Sequence, residues 1–519
     1  MFFTEIRMRN GAWKYLVALV IAAAITSIAL AVETPKKEAS AGSVAAPTAT
    51  DVAATPAVPK SGMSSFRDWF HNPTPWLSMG ADIRFRYTYG WNLDTLRDNT
   101  NNGRASKWSW YQQRMRWWTK TKINEDMDFN LRYTWEFRSW DEPARKGQET
   151  DLDEIVWDQF NLVVRNFGDM PLTMTIGRQD IRLGEGWLVF DGTPLDAART
   201  IYMDALRFTY AIPDTETTLD LIYIENRAST DAYLKPISEG HKEVTEQDET
   251  GLIAYLTNKA NPNMNLEGYF IYKKDSRVDT PPGVPAKRDP WPAAVWSKRA
   301  EIYTIGGALS GKLAGSEHWK YRAEGAVQFG EKEGINVPAN SARTGMHKLM
   351  AFGTIEKLEY HFNDARKNRI RGVFEYRSGD KPGTNKVEAF DPLWGEYPQW
   401  SEISCYIYNL ETMVGEVTNL YRLGLGHSMQ LTEKLSMDSD VHFLFADENT
   451  RGGNVHASGF GFSNSGKFRG TLATWVLKYA FSKNLNGHLW LEYFKPGDYY
   501  ADGSRDEAFF ARVNVDYTF

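Results

Sequence analysis

The sequence of 519 residues has a single cysteine, almost no long apolar run and no surplus of basic residues. Cys405 cannot form an intramolecular disulfide and lacks the neighbours of a zinc or thiol-redox site, so we expect a free thiol in a loop or on the surface. One apolar stretch, 16–32, approaches the length of a spanning helix, which excludes a polytopic helical membrane protein. The net charge of −6 argues against a nucleic-acid partner.

The N-terminus has the pattern of a secretory signal peptide. Basic residues, among them Arg7 and Arg9, precede an apolar core that ends in the small-residue site at Ala31. We therefore predict a signal peptide at 1–31 and export from the cytoplasm. An uncleaved membrane anchor is the alternative, because the apolar run is long for a signal peptide. No cysteine follows the core, which excludes a lipoprotein anchor.

The next stretch, 32–75, has the composition of a disordered leader. From Glu33 to about Gly62 it is rich in Ala, Pro, Thr and Ser and has few large apolar residues, so it cannot bury enough surface to order itself. We predict a disordered periplasmic leader. A short amphipathic piece with Phe66, Trp69 and Phe70 follows, and we expect it to pack rather than to plug anything.

Long segments of the remaining chain alternate strictly between apolar and polar residues. In the first, 76–90, Ile83 and Phe85 fall on one face and Arg84 and Arg86 on the other. Period two predicts a strand with one apolar face. We predict eighteen strands, at 76–90, 108–122, 127–140, 154–165, 171–180, 199–210, 217–226, 250–258, 264–274, 300–312, 318–330, 348–361, 369–380, 417–430, 435–447, 468–481, 485–496 and 506–519.

The connections between these strands alternate between short turns and long polar loops. Turns include 123–126 and 431–434, and long loops include 227–249, 275–299 and 381–416. This alternation and an even strand number are typical of bacterial outer-membrane barrels, in which the turns and both termini are periplasmic. Lipid offers the backbone no hydrogen bonds, so only a closed sheet can span it. We predict an all-β fold, a closed antiparallel transmembrane β-barrel of eighteen strands over 76–519, surrounded by outer-membrane lipid.

Two further features fit a barrel. The 19 Trp, 25 Tyr and 27 Phe would supply the aromatic girdles at the membrane interfaces. The last residues, 512–519, alternate and end in Phe519, which resembles the C-terminal signal read by barrel-insertion machinery. Asp204 breaks the alternation of its strand, and the sequence does not show whether a bulge corrects its face.

The polar face of the strands would line the pore, and on it basic residues outnumber acidic ones. The predicted acids there are Asp82, Asp128, Glu136, Glu324 and Glu375, whereas other acids concentrate in loops such as 239–249. A low-dielectric wall of one sign favours the opposite ion, so we expect an anion-favouring pore. Each arginine could instead pair with a lumen carboxylate and hold the wall together. The predicted channel residues are Arg84, Arg86, Arg114, Arg116, Arg132, Arg138, Arg178, Arg199, Arg207, Arg322 and Arg371.

The segment 176–208 resembles a hallmark of the alginate-export family of outer-membrane porins. A Gly-Arg-Gln strand end, an Arg-Thr step and an Asp-x-x-Arg strand carry the match, through Gly177, Arg178, Gln179, Arg199, Thr200, Asp204 and Arg207. The resemblance implies a passive conduit whose arginine-rich constriction selects an anionic polysaccharide of uronic acids. By motif it transfers that role to Arg178, Arg199 and Arg207 only. The long leader departs from a minimal porin.

The hypothesis is therefore a passive, anion-favouring porin for export or uptake of an acidic, alginate-like oligosaccharide or polysaccharide. The alternatives are a general diffusion porin and a barrel that anchors an adhesin or an enzyme. We predict no enzyme, no catalytic residue, no metal and no cofactor, because His442 and His488 lie mid-strand without a nucleophile motif and no Gly-x-Ser-x-Gly occurs.

Overall fold

A computed structural model describes most of the chain beyond residue 61. The described residues are 62–93, 95–98, 106–142, 150–190, 202–228, 233–235, 237, 245, 247–277, 298–334, 345–395, 397–412, 415–449 and 460–519. The predicted signal peptide and the leader up to residue 61 lie outside them. No helix within the described ranges is long and apolar enough to cross a membrane.

Eighteen antiparallel strands form one closed sheet, which confirms the predicted fold class. Each strand pairs with the next along the chain, and the last pairs with the first over Asp82 to Trp91. The strands are β1 (Leu77–Trp91), β2 (Lys107–Lys122), β3 (Met127–Glu142), β4 (Thr150–Val164), β5 (Leu172–Gln179), β6 (Met203–Ile212), β7 (Thr217–Asn226), β8 (Asp248–Asn261), β9 (Met264–Ser276), β10 (Ala300–Lys312), β11 (Trp319–Glu333), β12 (Met346–His361), β13 (Arg369–Arg377), β14 (Leu420–Gln430), β15 (Leu435–Phe445), β16 (Phe468–Ala480), β17 (Leu485–Pro496) and β18 (Ala508–Thr518).

Within the described ranges the helices are few and short. Helix α1 (Gly62–His71) precedes the barrel, and helix α2 (Glu402–Thr412) lies in the connection between β13 and β14. The same connection holds a two-residue strand, Lys386–Val387, which pairs in parallel with β12. Single turns of 3-10 helix occur at Phe167–Asp169, Leu313–Gly315 and Asp502–Ser504.

The connections at the two ends of the barrel differ in length, as the sequence predicts. At one end every turn has seven residues or fewer, and 262–263 is the shortest. At the other end all loops except 143–149 have eleven residues or more, and 378–419 is the longest. We call the halves of the barrel next to these ends the short-turn half and the long-loop half.

The two faces of the wall have opposite chemistry. Outward positions carry exposed apolar side chains such as Phe85, Leu252 and Leu425, whereas inward positions carry buried charges such as Arg84 and Glu375. Apolar side chains outside and charged ones inside are the arrangement of a wall that separates lipid from an aqueous lumen. The alternation of the strands therefore decides which face of the wall each described channel residue occupies.

Helix α1 packs at the rim of the short-turn half, beside the C-terminus. The ring of Phe70 lies 4.8 Å from that of Phe519. Arg67 Nη1 donates a hydrogen bond to Asn484 Oδ1 at 2.6 Å, in the turn between β16 and β17. The predicted amphipathic piece is therefore a helix that packs on the residue proposed as the insertion signal.

Candidate functional site: the lumen and the loop that crosses it

Several predicted channel arginines face the lumen and form ion pairs with carboxylates on the next strand or the next but one. Closest N–O distances are 2.8 Å for Arg84 to Asp516, 2.9 Å for Arg116 to Asp82, 2.8 Å for Arg132 to Asp158, and 2.8 Å for Arg322 to Glu267. Arg371 Nε donates to Asp440 at 2.8 Å. These arginines brace the wall, as the alternative interpretation of the sequence holds.

Five inward arginines from β1, β2 and β3 lie on adjoining strands, and we call them the arginine patch. They are Arg84, Arg86, Arg114, Arg116 and Arg138. The described carboxylates opposite them on these strands and β18 are Asp82, Glu136 and Asp516. Among the described side chains of these strands, arginines therefore outnumber the carboxylates opposite them.

The arginines of the patch are held in different ways. Arg86 Nε donates to Asn514 Oδ1 at 3.0 Å, and the guanidinium of Arg138 lies 4.6 Å from the ring of Trp140. Arg114 Nη2 lies 3.7 Å from Asp82, which also binds Arg116. Neutral partners and aromatic rings orient a guanidinium without cancelling its charge.

The lumen holds more acid than the sequence analysis predicts, so the expected segregation of charge is wrong. Inward carboxylates that it missed lie on seven strands: Asp158, Asp220, Glu249, Glu267, Asp275, Asp438, Asp440, Glu492 and Asp516. Strand alternation itself contained the signal, since Asp438 and Asp440 fall on the polar face of β15.

The strand register corrects the predicted position of Arg178. Arg178 pairs with Asp204 across β5 and β6, and the register shows no bulge there. Both residues therefore share the outer face with Ile176, whereas Arg207 lies on the inner face. Arg178 binds both oxygens of Asp204, at 2.8 and 2.9 Å, and its guanidinium lies 3.6 Å from the ring of Tyr202. It does not line the lumen.

Of the other two motif arginines, only Arg207 is among the described residues. Arg207 faces the lumen, and its Nε donates to Asp220 Oδ1 at 2.8 Å. Its side chain is 26% exposed. Arg199 lies outside the described residues. The family motif therefore contributes one described arginine to the lumen face.

The long loop between β13 and β14 folds into the barrel, and we call its residues 386–395 and 397–412 the strap. Its first part binds the wall of β8 and β11. Trp394 Nε1 donates to Glu249 Oε2 at 2.9 Å. Gln328 binds the backbone of Asp391 by two hydrogen bonds of 2.8 Å, and Lys332 Nζ lies 2.5 Å from the Asp391 carboxylate.

The second part of the strap binds β17 and β18. Glu492 accepts hydrogen bonds from the backbone N–H groups of Glu402 and Ile403 and from Ser401 Oγ, at 2.8 to 2.9 Å. A carboxylate at this place satisfies the free N–H groups at the start of α2 and suits its dipole. Arg512 binds Glu402 at 2.8 Å from the same wall.

These contacts place the strap across the lumen. Strands β8 and β17 are nine positions apart in the closed order of eighteen, so Glu249 and Glu492 stand on opposite walls. The strap binds both, through Trp394 and Ser401. It therefore spans the interior of the long-loop half.

Apolar contacts hold the strap in place. Two hydrophobic clusters combine its side chains with inward residues of the strands, and they include Phe390, Leu393, Trp394, Ile403 and Ile407. Burying one such side chain stabilises by roughly 1.5–3 kcal/mol. The expectation of a long polar loop at 381–416 is wrong for this part, and its aromatic and branched residues were the available signal.

A second inward loop supports the strap. Residues 181–190, between β5 and β6, contribute Trp187, whose ring stacks on Phe390 at 5.3 Å. Trp187 Nε1 also donates to Glu375 Oε1 at 3.1 Å. Arg377 and Arg422 bind the same carboxylate at 2.9 and 2.7 Å. This network ties both loops to β13 and β14.

Two titratable groups of the strap have shifted pKa values. Burial opposes the ionisation of Asp391, but Lys332 and Lys273 outweigh it and hold the pKa of that carboxyl below its usual value. Burial raises the pKa of the Cys405 thiol in α2, which makes it a poor nucleophile. Cys405 is free, as expected. The described part of the chain contains no cluster of three or more His, Cys, Asp or Glu side chains suited to a metal ion.

A closed barrel with an apolar outer belt, a charged lumen and a loop across its interior defines an outer-membrane channel. The sequence profile described as alginate export matches residues 75–514, so the chain belongs to the alginate export family. Family and fold are those of transport channels. No curated protein sequence matches the chain.

Solved outer-membrane porin structures are similar to this chain at low sequence identity. Acinetobacter baumannii OccAB1 has 10% identity and a TM-score of 0.51, and the match covers 85% of this chain and 96% of that one. Pseudomonas aeruginosa OccK5 (OpdH) has 11% identity and a TM-score of 0.47, with 85% and 98% covered. Pseudomonas putida OprB has 11% identity and a TM-score of 0.45, with 88% and 96% covered. At these identities the likeness concerns the fold alone.

Proposed function

We propose that the protein is a passive, anion-favouring channel for an acidic, alginate-like oligosaccharide or polysaccharide, with its turns and both termini on the periplasmic side. The observation that carries the proposal is the arginine patch, where five arginines face three carboxylates. Charge of one sign in a low-dielectric lumen concentrates the opposite ion. Membership of the alginate export family supports the substrate class.

Arginine suits this substrate better than lysine. Its planar fork binds a carboxylate through two donors and stays charged at any working pH. In the patch, Asn514 and Trp140 contact two of the guanidinium groups, those of Arg86 and Arg138, and help to orient them. A chain of uronates would therefore meet a series of fixed positive groups along β1, β2 and β3.

A planar-bilayer experiment tests the proposal. The processed protein is inserted, the reversal potential is measured in a salt gradient, and oligouronate is then added. We expect a reversal potential that shows anion preference and a current that oligouronate blocks. Cation preference would contradict the proposal.

A pair of double variants locates the source of the preference. Arg114→Gln with Arg116→Gln removes two charges from the patch and should weaken the anion preference. Lys107→Gln with Lys274→Gln removes the same charge from outward positions on β2 and β9, so it should leave the reversal potential unchanged.

A general diffusion porin is the second candidate. The ion pairs of Arg132, Arg322 and Arg371 favour it, because a lumen of matched charges selects weakly. Open current without block by oligouronate would support this candidate. Absence of current would favour a barrel that anchors an adhesin or an enzyme.

A further inference from the structure

Helix α1, at the rim of the short-turn half, has an apolar face that the barrel covers only in part. Phe66 and Trp69 are 50% and 57% exposed, although both are large and apolar. Phe66, Trp69 and Phe70 are three and four residues apart, so they share one face of the helix. Asp68 lies on the opposite face and is exposed. Large apolar side chains exposed on one face of a helix indicate an interaction surface.

The helix packs on the outer surface of the barrel. Phe519 extends β18 and exchanges two backbone hydrogen bonds with Ala81, at 2.8 and 3.3 Å. It therefore lies on the same face as Tyr517, which is outward and exposed. The ring of Phe519 lies 6.0 Å from that of Phe66 and 4.8 Å from that of Phe70. Helix α1 is thus on the lipid side of the rim.

The neighbouring wall at this rim carries exposed aromatic side chains. They include Tyr479 and Phe481 at the end of β16, whose rings are 4.7 Å apart, and Tyr517 on β18. Arg67 of α1 binds Asn484 in the turn that follows Phe481. Aromatic side chains near the ends of barrel strands lie at the interface between lipid headgroups and hydrocarbon. The exposed face of α1 therefore continues the surface that the barrel presents to lipid.

We propose that α1 is an interfacial helix that inserts Phe66 and Trp69 into the headgroup region of the membrane, beside the closing seam of β1 and β18. Its partner is phospholipid. With ten residues the helix is about 15 Å long, so it lies along the surface of a hydrocarbon core about 30 Å thick. Asp68 then faces the water. The helix attaches the chain that precedes β1 to the membrane surface, whichever solute the channel carries.

Fluorescent labelling of the processed protein in phospholipid vesicles tests the proposal. In a Cys405→Ser background, Trp69→Cys and Asp68→Cys each carry one environment-sensitive dye. A phospholipid with a spin label near its headgroup should quench the dye of Trp69→Cys at least about twofold more strongly, because the apolar face of an interfacial helix lies about 5–10 Å inside the headgroup boundary. Iodide in the water should give the reverse order. Both quenchers are present on each side of the bilayer.

Asp68→Cys is the matched control, because its dye is one residue away on the opposite face of the same helix. Heat-dependent migration on a gel checks that each variant is folded. Phe66→Cys gives a second label on the apolar face, and its dye should behave like that of Trp69→Cys.

Three results would overturn the proposal. Equal quenching by lipid in Trp69→Cys and Asp68→Cys would show that neither face is directed to the membrane. Strong quenching of the Trp69→Cys dye by iodide would place this face in water. Protection of that dye from both quenchers would show that protein covers the face, such as a second copy of this chain. None of these results bears on ion preference, so the proposed function is tested separately.

Discussion

The two halves of the lumen use the same inward face of the same strands for different chemistry. On β7, Asp220 lies near the turn and pairs with Arg207, whereas Ile222 and Ile224 on the same face join an apolar cluster towards the long loops. The short-turn half is lined by charged pairs. The long-loop half is filled by apolar side chains of the wall and the strap, together with buried ion pairs such as that of Arg422 with Glu375.

The difference shows how strands with one alternating pattern can form two regions of the lumen: a charged region that selects solutes and a loop-filled region that narrows the pore. Charged groups remain inside a barrel only where water or partners reach them. In the short-turn half the side chain of Arg207 is 26% exposed, whereas in the long-loop half Arg422 and Glu375 are 4% and 2% exposed and bind each other. Apolar groups inside a barrel need a cover, and the strap supplies it. We therefore expect changes in the long-loop half to alter conductance and changes in the short-turn half to alter selectivity.

Removing the strap should have the largest effect. Arg377 and Leu420 stand opposite each other on β13 and β14, so a two-residue Asn-Gly turn can replace 378–419. We expect single-channel conductance to rise roughly three- to tenfold, because the pore is limited by its narrowest part. Planar-bilayer recording measures it.

The strap deletion needs a check that the barrel remains folded. Heat-dependent migration of the shortened protein on a gel, compared with the wild type, provides that control. A folded variant with wild-type conductance would show that another part of the lumen limits the current, and the contrast between the halves would fail.

Loosening one anchor of the strap should have a smaller effect. Glu492→Gln keeps the shape of the side chain but cannot accept all the hydrogen bonds from Ser401, Glu402 and Ile403. We expect brief openings and a mean conductance up to about twofold higher, because a lost helix cap costs about 1 kcal/mol. Single-channel records measure the openings.

Glu267→Gln is the matched control for that anchor. Glu267 is an inward carboxylate of the short-turn half that binds Arg322 at 2.8 Å and does not contact the strap. It should not change the frequency of openings. Equal records for the two variants would contradict the role of Glu492.

Cysteine labelling tests which face of the wall Arg178 and Arg207 occupy. In a Cys405→Ser background, Arg207→Cys should react with a membrane-impermeant thiol reagent at least about tenfold faster than Arg178→Cys, because a reactive thiol needs access to water. The rate is read from the loss of current and the added mass. Equal rates would place both residues in the lumen and contradict the strand register.

Strand alternation and loop length were enough to predict the barrel. They predicted all eighteen strands, and nine of the eleven predicted channel arginines lie on the lumen face. Arg178 is the exception, and Arg199 lies outside the described residues. The two-residue alternation within the strands and the alternation of short and long connections are local patterns, so one sequence is enough to show them.

The path of the strap and the pairing of the lumen charges could not be predicted from these local patterns. Phe390 and Ile403 look like ordinary loop residues until a lumen exists for them to fill, and their partners lie on distant strands. The missed acids bind residues of other strands; Asp516, for example, binds Arg84 across the closing seam between β1 and β18. Contacts of that kind depend on register and closure, which no local pattern fixes.

The smallest effect should come from replacing Gly177, the glycine of the family motif. Gly177 has a φ of 115°, and a Cβ there would lie 2.3 Å from the backbone oxygen of Phe160. Gly177→Ala should therefore lower the free energy of unfolding by about 1–3 kcal/mol, since the conformation is strained for any L side chain. Urea unfolding of the protein in lipid vesicles measures it. Gly268→Ala, where nothing lies within 4 Å of the added carbon, should shift it by less than about 0.5 kcal/mol. Equal losses would show that Gly177 is replaceable and that the strand end positions Arg178 without it.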